Sequence, residues 1–135
     1  MTQTINVWFI GDICGRSGRD TVIRYYKEII NSHNISFTVI NGENAAGGLG
    51  ITPQIADEFF KLGVDVITTG NHIWSKKEIY QYISNNHRLL RPANYPEGVP
   101  GVGFTTIDKY NFSITVINLL GKVFIQESDC PFRKF

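Results

Sequence analysis

"VDVITTGN" (residues 64–71) decides the fold: a short β-rich apolar run that ends abruptly on a glycine and an asparagine. What flanks it fixes its meaning. Upstream, "TPQIADEFFKLG" (52–63) has a helix signature: Thr52 as N-cap, Pro53 at the first helical position and Gly63 at the C-terminal cap. Downstream, "SKKEIYQYISNN" (75–86) again has helical spacing. The alternation extends backwards. "INVWFIGD" (5–12) reads as a strand, and "SGRDTVIRYYKEIINSHN" (17–34) as a helix capped by Ser17. "SFTVINGEN" (36–44) is a second strand, followed by the loop "AAGGLG". Strands alternating with helices imply βαβ units, right-handed crossovers and a parallel sheet. Later, "GFTTID" (103–108) and "FSITVINLL" (112–120) form a hairpin across "KYN", which adds antiparallel strands. The expected fold class is α/β, with a mixed, mainly parallel sheet and flanking helices.

Composition sets bounds on the function. The 135 residues fit one domain with one core, and neither the 42% hydrophobic nor the 19% charged share is unusual for a globular protein. A formal net charge of +1 gives no strong nucleic-acid signal and no basic field for anionic membranes. No apolar run approaches the ~18 residues of a membrane helix. Cys14 and Cys130 stand alone, outside any C-x-x-C pair, and the N-terminal stretch reads as strand rather than signal peptide. The expected location is therefore the cytoplasm.

In open parallel sheets, ligands bind beyond the carboxyl ends of the strands. Three strands of this chain deliver polar side chains there, each after a glycine: Asp12 after Gly11, Glu43 and Asn44 after Gly42, and Asn71 and His72 after Gly70. Each group alone could be a helix cap or turn. Three in corresponding places on successive strands point to one shared crevice. Two carboxylates and two carboxamide oxygens suit hard divalent cations, Mg²⁺ or Mn²⁺, and a carboxylate can bridge two ions. Two such ions can clamp a phosphate and activate water. A neighbouring imidazole, with an ordinary pKa near ~6.5, suits general-acid work at neutral pH. The chemistry suggested is phosphoester hydrolysis.

"GDICGRSGRD", "NGENAAGG", "GNHIW", "LLRPANYPEG" and "DCPFRK", in this order, resemble the signatures of the YmdB-like branch of the calcineurin-like metallophosphoesterases. The resemblance implies a phosphodiesterase using two divalent metal ions (Mn, Fe or Mg, with Zn as a further option) on a small-molecule phosphodiester, with 2′,3′-cyclic nucleotides leading. It implies Asp12 as ligand of the first metal, Glu43 as the bridging ligand, Asn44 and Asn71 as ligands of the second metal, and His72 as the catalytic acid. Cys14 stands where the broader superfamily has a histidine.

The resemblance covers only the first half of the family's four-layer α/β/β/α sandwich. The later half supplies a middle histidine and a Gly-x-His-x-His motif, and neither is present here; His33 and His87 read as surface residues. Residues 1–135 are thus expected to form a single metallophosphoesterase-like domain lacking the C-terminal half. Half of such a sandwich leaves an apolar sheet face bare, which predicts a homo-oligomer. The alternative function is a non-catalytic nucleotide- or partner-binding module, or a remnant with an incomplete metal site. Neither a G-x-G-x-x-G nor a P-loop motif occurs. Arg16 and Arg19 have two open readings, phosphate attraction at a helix N-terminus or solvated charge. In "RPANYP", Arg91, Asn94 and Tyr95 either line the crevice or stiffen a turn. Trp8 and Trp74 read as core aromatics.

Overall fold

The computed structural model describes residues 4–109, 111–125 and 128–134. Four parallel strands form one sheet in the order β1 (Asn6–Ile10), β2 (Ile35–Asn41), β3 (Val66–Thr68), β4 (Leu89–Leu90). Pairing runs Phe9 to Val39, Ile40 to Ile67 and Thr68 to Leu90, so successive strands end near one level. Helices α1 (Gly15–Ser32), α2 (Pro53–Leu62) and α3 (Ile79–Ser84) make the crossovers. Helix α2 begins and ends as its sequence dictates. Thr52 accepts from the Ile55 amide, Pro53 opens the helix, and Gly63 closes it in the left-handed region at φ 116°.

Two expected boundaries move. Helix α1 starts at Gly15, with Cys14 rather than Ser17 at the N-cap. The reason is tertiary: Gly15, at φ 60°, donates its amide to the Asn44 carbonyl and so enters the helix from the neighbouring strand's loop. The third helix is broken into a 3₁₀ turn (Ile73–Ser75) and α3, which accommodates the sharp exit from β3. Strand β4 is only two residues long, too short to leave a periodic signal.

The sheet's two faces have different cover. Ile40, Ile67 and Leu89 turn toward the helices and pack with Val22, Tyr26, Ala56, Phe59 and Ile83. Trp8 and Trp74 pack against this same core. Phe37, Val39, Val66 and Leu90 point the other way, under the hairpin β5 (Phe104–Lys109) and β6 (Phe112–Ile117). Tyr110, at the hairpin tip, lies outside the described residues. The hairpin is a separate two-stranded sheet lying over the parallel one, and the segment leading into it meets β4 through an isolated bridge, Leu90 to Val102. Period-two alternation explains this placement: Ile107, Ile114 and Val116 pack inward, so the hairpin needs an apolar face beneath it more than an edge beside it. Lys109 anchors it, reaching both carboxylate oxygens of buried Asp65 at 2.8 and 3.0 Å. No helix among the described residues is long and apolar enough to cross a membrane.

Candidate functional site

The parallel register brings Asp12, the Glu43–Asn44 pair and the Asn71–His72 pair to the carboxyl ends of β1, β2 and β3. Backbone bonds knit the three turns together. The Ile13 amide donates to the Asn41 carbonyl at 3.1 Å, and the Gly42 amide to the Thr68 carbonyl at 2.9 Å. Gly42 also clears a passage, since a Cβ there would meet Ile51 and Ile67 at 3.0 and 3.1 Å.

Asn44 is the hub. Its Nδ2 donates to Asp12 Oδ1 at 2.8 Å, and its Oδ1 lies 2.7 Å from His72 Nδ1. A carboxylate only accepts, so the first bond fixes the amide's orientation. The carboxamide oxygen facing His72 therefore requires a proton on Nδ1. That leaves Nε2 as the ring atom free to exchange a proton with a ligand. Asn44 Oδ1 keeps a second lone pair.

Glu43 sits differently. Its amide donates to Asn41 Oδ1 at 3.2 Å, and its carboxylate lies across Gly70. A Cβ on residue 70 would be 2.6 Å from Glu43 Cδ. Glu43 Oε2 is buried and has no hydrogen-bond partner among the described residues. An orphaned buried carboxylate oxygen costs about 1–3 kcal/mol or more, so it needs either a reason or a ligand. Asp12 and Asn71 are exposed, and Asn71 belongs to the group through its chain position between Gly70 and His72.

The loop after β2 is held against this rim. Arg19 donates from Nη1 to the Ala45 carbonyl, so Arg19 clips the loop to α1, whereas Arg16 pairs with Asp20 at the surface. Gly50, at φ 78°, packs under the 3₁₀ turn, where a Cβ would lie 3.2 Å from the His72 carbonyl oxygen. His33 and His87 are exposed, away from the rim. Cys14 and Cys130 are free thiols.

Some supporting residues left little trace in the sequence. Asn118 donates from Nδ2 to the Thr69 and Leu90 carbonyls at 2.8 and 3.2 Å, fixing the end of β3 from the hairpin side. Its one signal was an asparagine inside an apolar run. Asn94 is fully buried and structural: it bonds the Leu120 amide and carbonyl and the Asp129 carbonyl. The Asp129 amide returns a bond to the Asn94 carbonyl at 2.7 Å, which ties "RPANYP" to "DCPFRK". Tyr95 reaches the rim from below, its hydroxyl 3.5 Å from the Gly70 carbonyl.

The donor set tests well for a hard cation in kind: oxygen atoms, one of them buried and unpartnered. In number it is short. Among the described residues no group of three or more His, Cys, Asp or Glu side chains could hold a metal.

A parallel sheet, a second sheet over one face and an oxygen-rich rim at the strand ends define half of a metallophosphoesterase-type fold. The chain belongs to the YmdB-like protein family, whose model matches residues 8–135. It is 45% identical over 130 residues to a 2′,3′-cyclic-nucleotide 2′-phosphodiesterase of Bacillus subtilis, covering 96% of this chain and 49% of that protein. Among solved structures, a hypothetical protein from Thermus thermophilus superposes with TM-score 0.87 at 34% identity, over 95% of this chain and 50% of that one. A phosphatase from Mycoplasma pneumoniae superposes with TM-score 0.90 at 26% identity, over 98% and 50% respectively. The chain therefore spans about half the length of the relatives it matches.

Proposed function

We propose that this chain carries the phosphodiester-handling rim of a metal-dependent phosphodiesterase that acts on 2′,3′-cyclic nucleotides. In this reading Asp12, Glu43, Asn44 and Asn71 are ligands of two divalent cations, and His72 is the general acid. The observation that carries it is Glu43 Oε2, buried without a partner among the described residues, next to Asn44 of the Asp12–Asn44–His72 chain. The name of the B. subtilis relative supports the substrate class.

When bound, the cations would supply charge neutralisation for the phosphodiester and activation of the attacking water. The protein's own residues do the rest. Asp12 holds the Asn44 amide in one orientation, and Asn44 holds His72 with its proton on Nδ1. Nε2 of the protonated ring would donate its proton to the leaving ribose oxygen as the P–O bond to that oxygen breaks, while the water oxygen bonds to phosphorus and gives up its own proton to solvent. Gly70 leaves room for the Glu43 carboxylate at the base of the crevice.

The shortage of ionisable donors favours a second reading, a module that binds nucleotide without turning it over. One experiment separates them: the chain is given Mn²⁺ and 2′,3′-cyclic AMP, with His72→Ala and Asn71→Ala as controls. Metal-dependent hydrolysis lost in both variants supports the enzyme. Binding without hydrolysis supports the module, and hydrolysis indifferent to His72→Ala removes the proposed acid.

A further inference from the structure

The ladders that order the rim stop short of it. On β3 the last paired residue is Thr68, matched to Asn41 on one side and to Leu90 on the other. Thr69 and Gly70 therefore leave the ladder before the chain reaches Asn71 and His72, and side-chain bonds set their course. Thr69 Oγ1 donates to the Leu90 carbonyl at 2.7 Å. Asn118 gives one Nδ2 proton to the Thr69 carbonyl at 2.8 Å and the other to the Leu90 carbonyl at 3.2 Å. Asn118 is itself held from two sides. Its amide donates to the Gly103 carbonyl at 2.9 Å, and its carbonyl accepts from the Ala93 amide at 2.8 Å. It is buried, as is Thr69, so water does not stand in for these bonds.

We propose that Asn118 is a positioning residue of the rim: through the Thr69 carbonyl it fixes Gly70, and through Gly70 it fixes the carboxylate of Glu43. The second link is steric. The Glu43 carboxylate lies so close over Gly70 that a Cβ there would stand 2.6 Å from Cδ, so any shift of the Gly70 backbone moves the carboxylate or opens a gap beneath it. Truncating Asn118 takes a donor from the buried Thr69 carbonyl, and a buried carbonyl without a partner turns toward another donor. The peptide that turns is the one joining Thr69 to Gly70. Asn118 acts at one remove, since none of its bonds described above goes to Glu43, Asn71 or His72. Its consequence for cation binding rests on the function proposed above; its hold on Glu43 does not. Asn94 is the natural control. It too is buried, and its side chain bonds main-chain groups of Leu120 and Asp129, away from the ends of β1 to β3.

The test compares Asn118→Ala with Asn94→Ala, first in the cation-free protein and then under Mn²⁺. Both variants are expected to melt below the parent, because each strands buried main-chain partners. Only Asn118→Ala is expected to shift the ¹³C resonance of the Glu43 side-chain carboxyl and the Asn71 amide. In calorimetric titration it alone should weaken Mn²⁺ binding, by about 10–100-fold. Glu43 and Asn71 resonances that stay in place in a folded Asn118→Ala protein would overturn the proposal, as would an equal loss of Mn²⁺ affinity in the two variants. Asn118→Ser, which keeps a shorter donor, takes over where the alanine variant does not fold. If neither folds, Asn118 holds the domain rather than the rim, and the proposal fails. A parent that binds no Mn²⁺ would sink the functional reading instead, and the cation-free resonances would still decide this one.

Discussion

Gly70→Ala isolates the seat of Glu43. The new Cβ would lie 2.6 Å from Glu43 Cδ and 2.7 Å from Oε1, where ordinary contact begins at 3.4 Å. Oε2 lies nearer still, so the carboxyl group must retreat by more than the 0.8 Å that separates 2.6 from 3.4 Å. The backbone at Gly70 is outside the left-handed region, so the substitution carries no strain of its own. Moving a flexible side chain off its rotamer costs about 0.5–1.5 kcal/mol. The lost unfolded-state freedom of glycine offsets about 0.4–1 kcal/mol of that. Net stability should hence change by no more than about 1 kcal/mol, only a few degrees in Tm for a chain of this size. Cation affinity should respond far more, because misplacing a ligand-orienting group typically costs about 10–100-fold. Thermal melting and isothermal titration with Mn²⁺ would measure both quantities on the same sample. Unchanged Mn²⁺ affinity in a folded variant would refute the claim that Glu43 serves a cation from this position. A collapsed fold would refute the claim that the clash is local.

Further outcomes follow from the same geometry. Glu43→Gln keeps the shape of a partly buried side chain while removing its charge, so the cation-free protein should change by no more than about 1 kcal/mol in denaturant unfolding. The same variant should lose the Mn²⁺-induced rise in Tm that a ligand at 100 times its Kd would give, about 2.7 kcal/mol. Asn44→Ala removes the acceptor that holds the His72 proton on Nδ1, and long-range ¹H–¹⁵N correlation should show the ring's tautomer balance moving toward Nε2–H. The Tyr82 hydroxyl is pushed up to about 12 by burial first and by its bond to Asp57 second. Its folded-state value is raised, so this contribution to stability is full below pH ~10 and is lost as pH rises toward 12; burial raises Tyr26 as well, so absorbance titration at 295 nm should show late-ionising tyrosine signal that Tyr82→Phe reduces but does not abolish.

The fold was legible wherever local chemistry and periodicity agreed. Helix α2 carries its N-cap, its proline and its C-terminal glycine in twelve residues, and nothing tertiary alters it. The start of α1 was misread because Gly15 answers to the Asn44 carbonyl, a partner remote in sequence. The hairpin's own layer followed from alternation only once the sheet beneath had a face to offer. At the rim, the glycine-then-polar pattern marked the five residues that the fold brings to one edge, since a parallel sheet delivers strand ends there. The linkages among them were not legible. That Asn44 would bridge Asp12 and His72, or that Glu43 would lie on Gly70, depends on loop paths set by Arg19 and Gly50. Asn94, read as lining the crevice or stiffening a turn, and Asp129, whose motif signalled kinship alone, prove to be one staple between two distant loops.

The most direct test of the rim as a cation site is anomalous diffraction from crystals grown in Mn²⁺, recorded at a wavelength where manganese scatters anomalously. The account predicts a difference peak bonded to Glu43 Oε2, shared with Asp12 or with the Asn44 and Asn71 carboxamides. An empty rim at saturating Mn²⁺, or a peak confined to other residues, would contradict it.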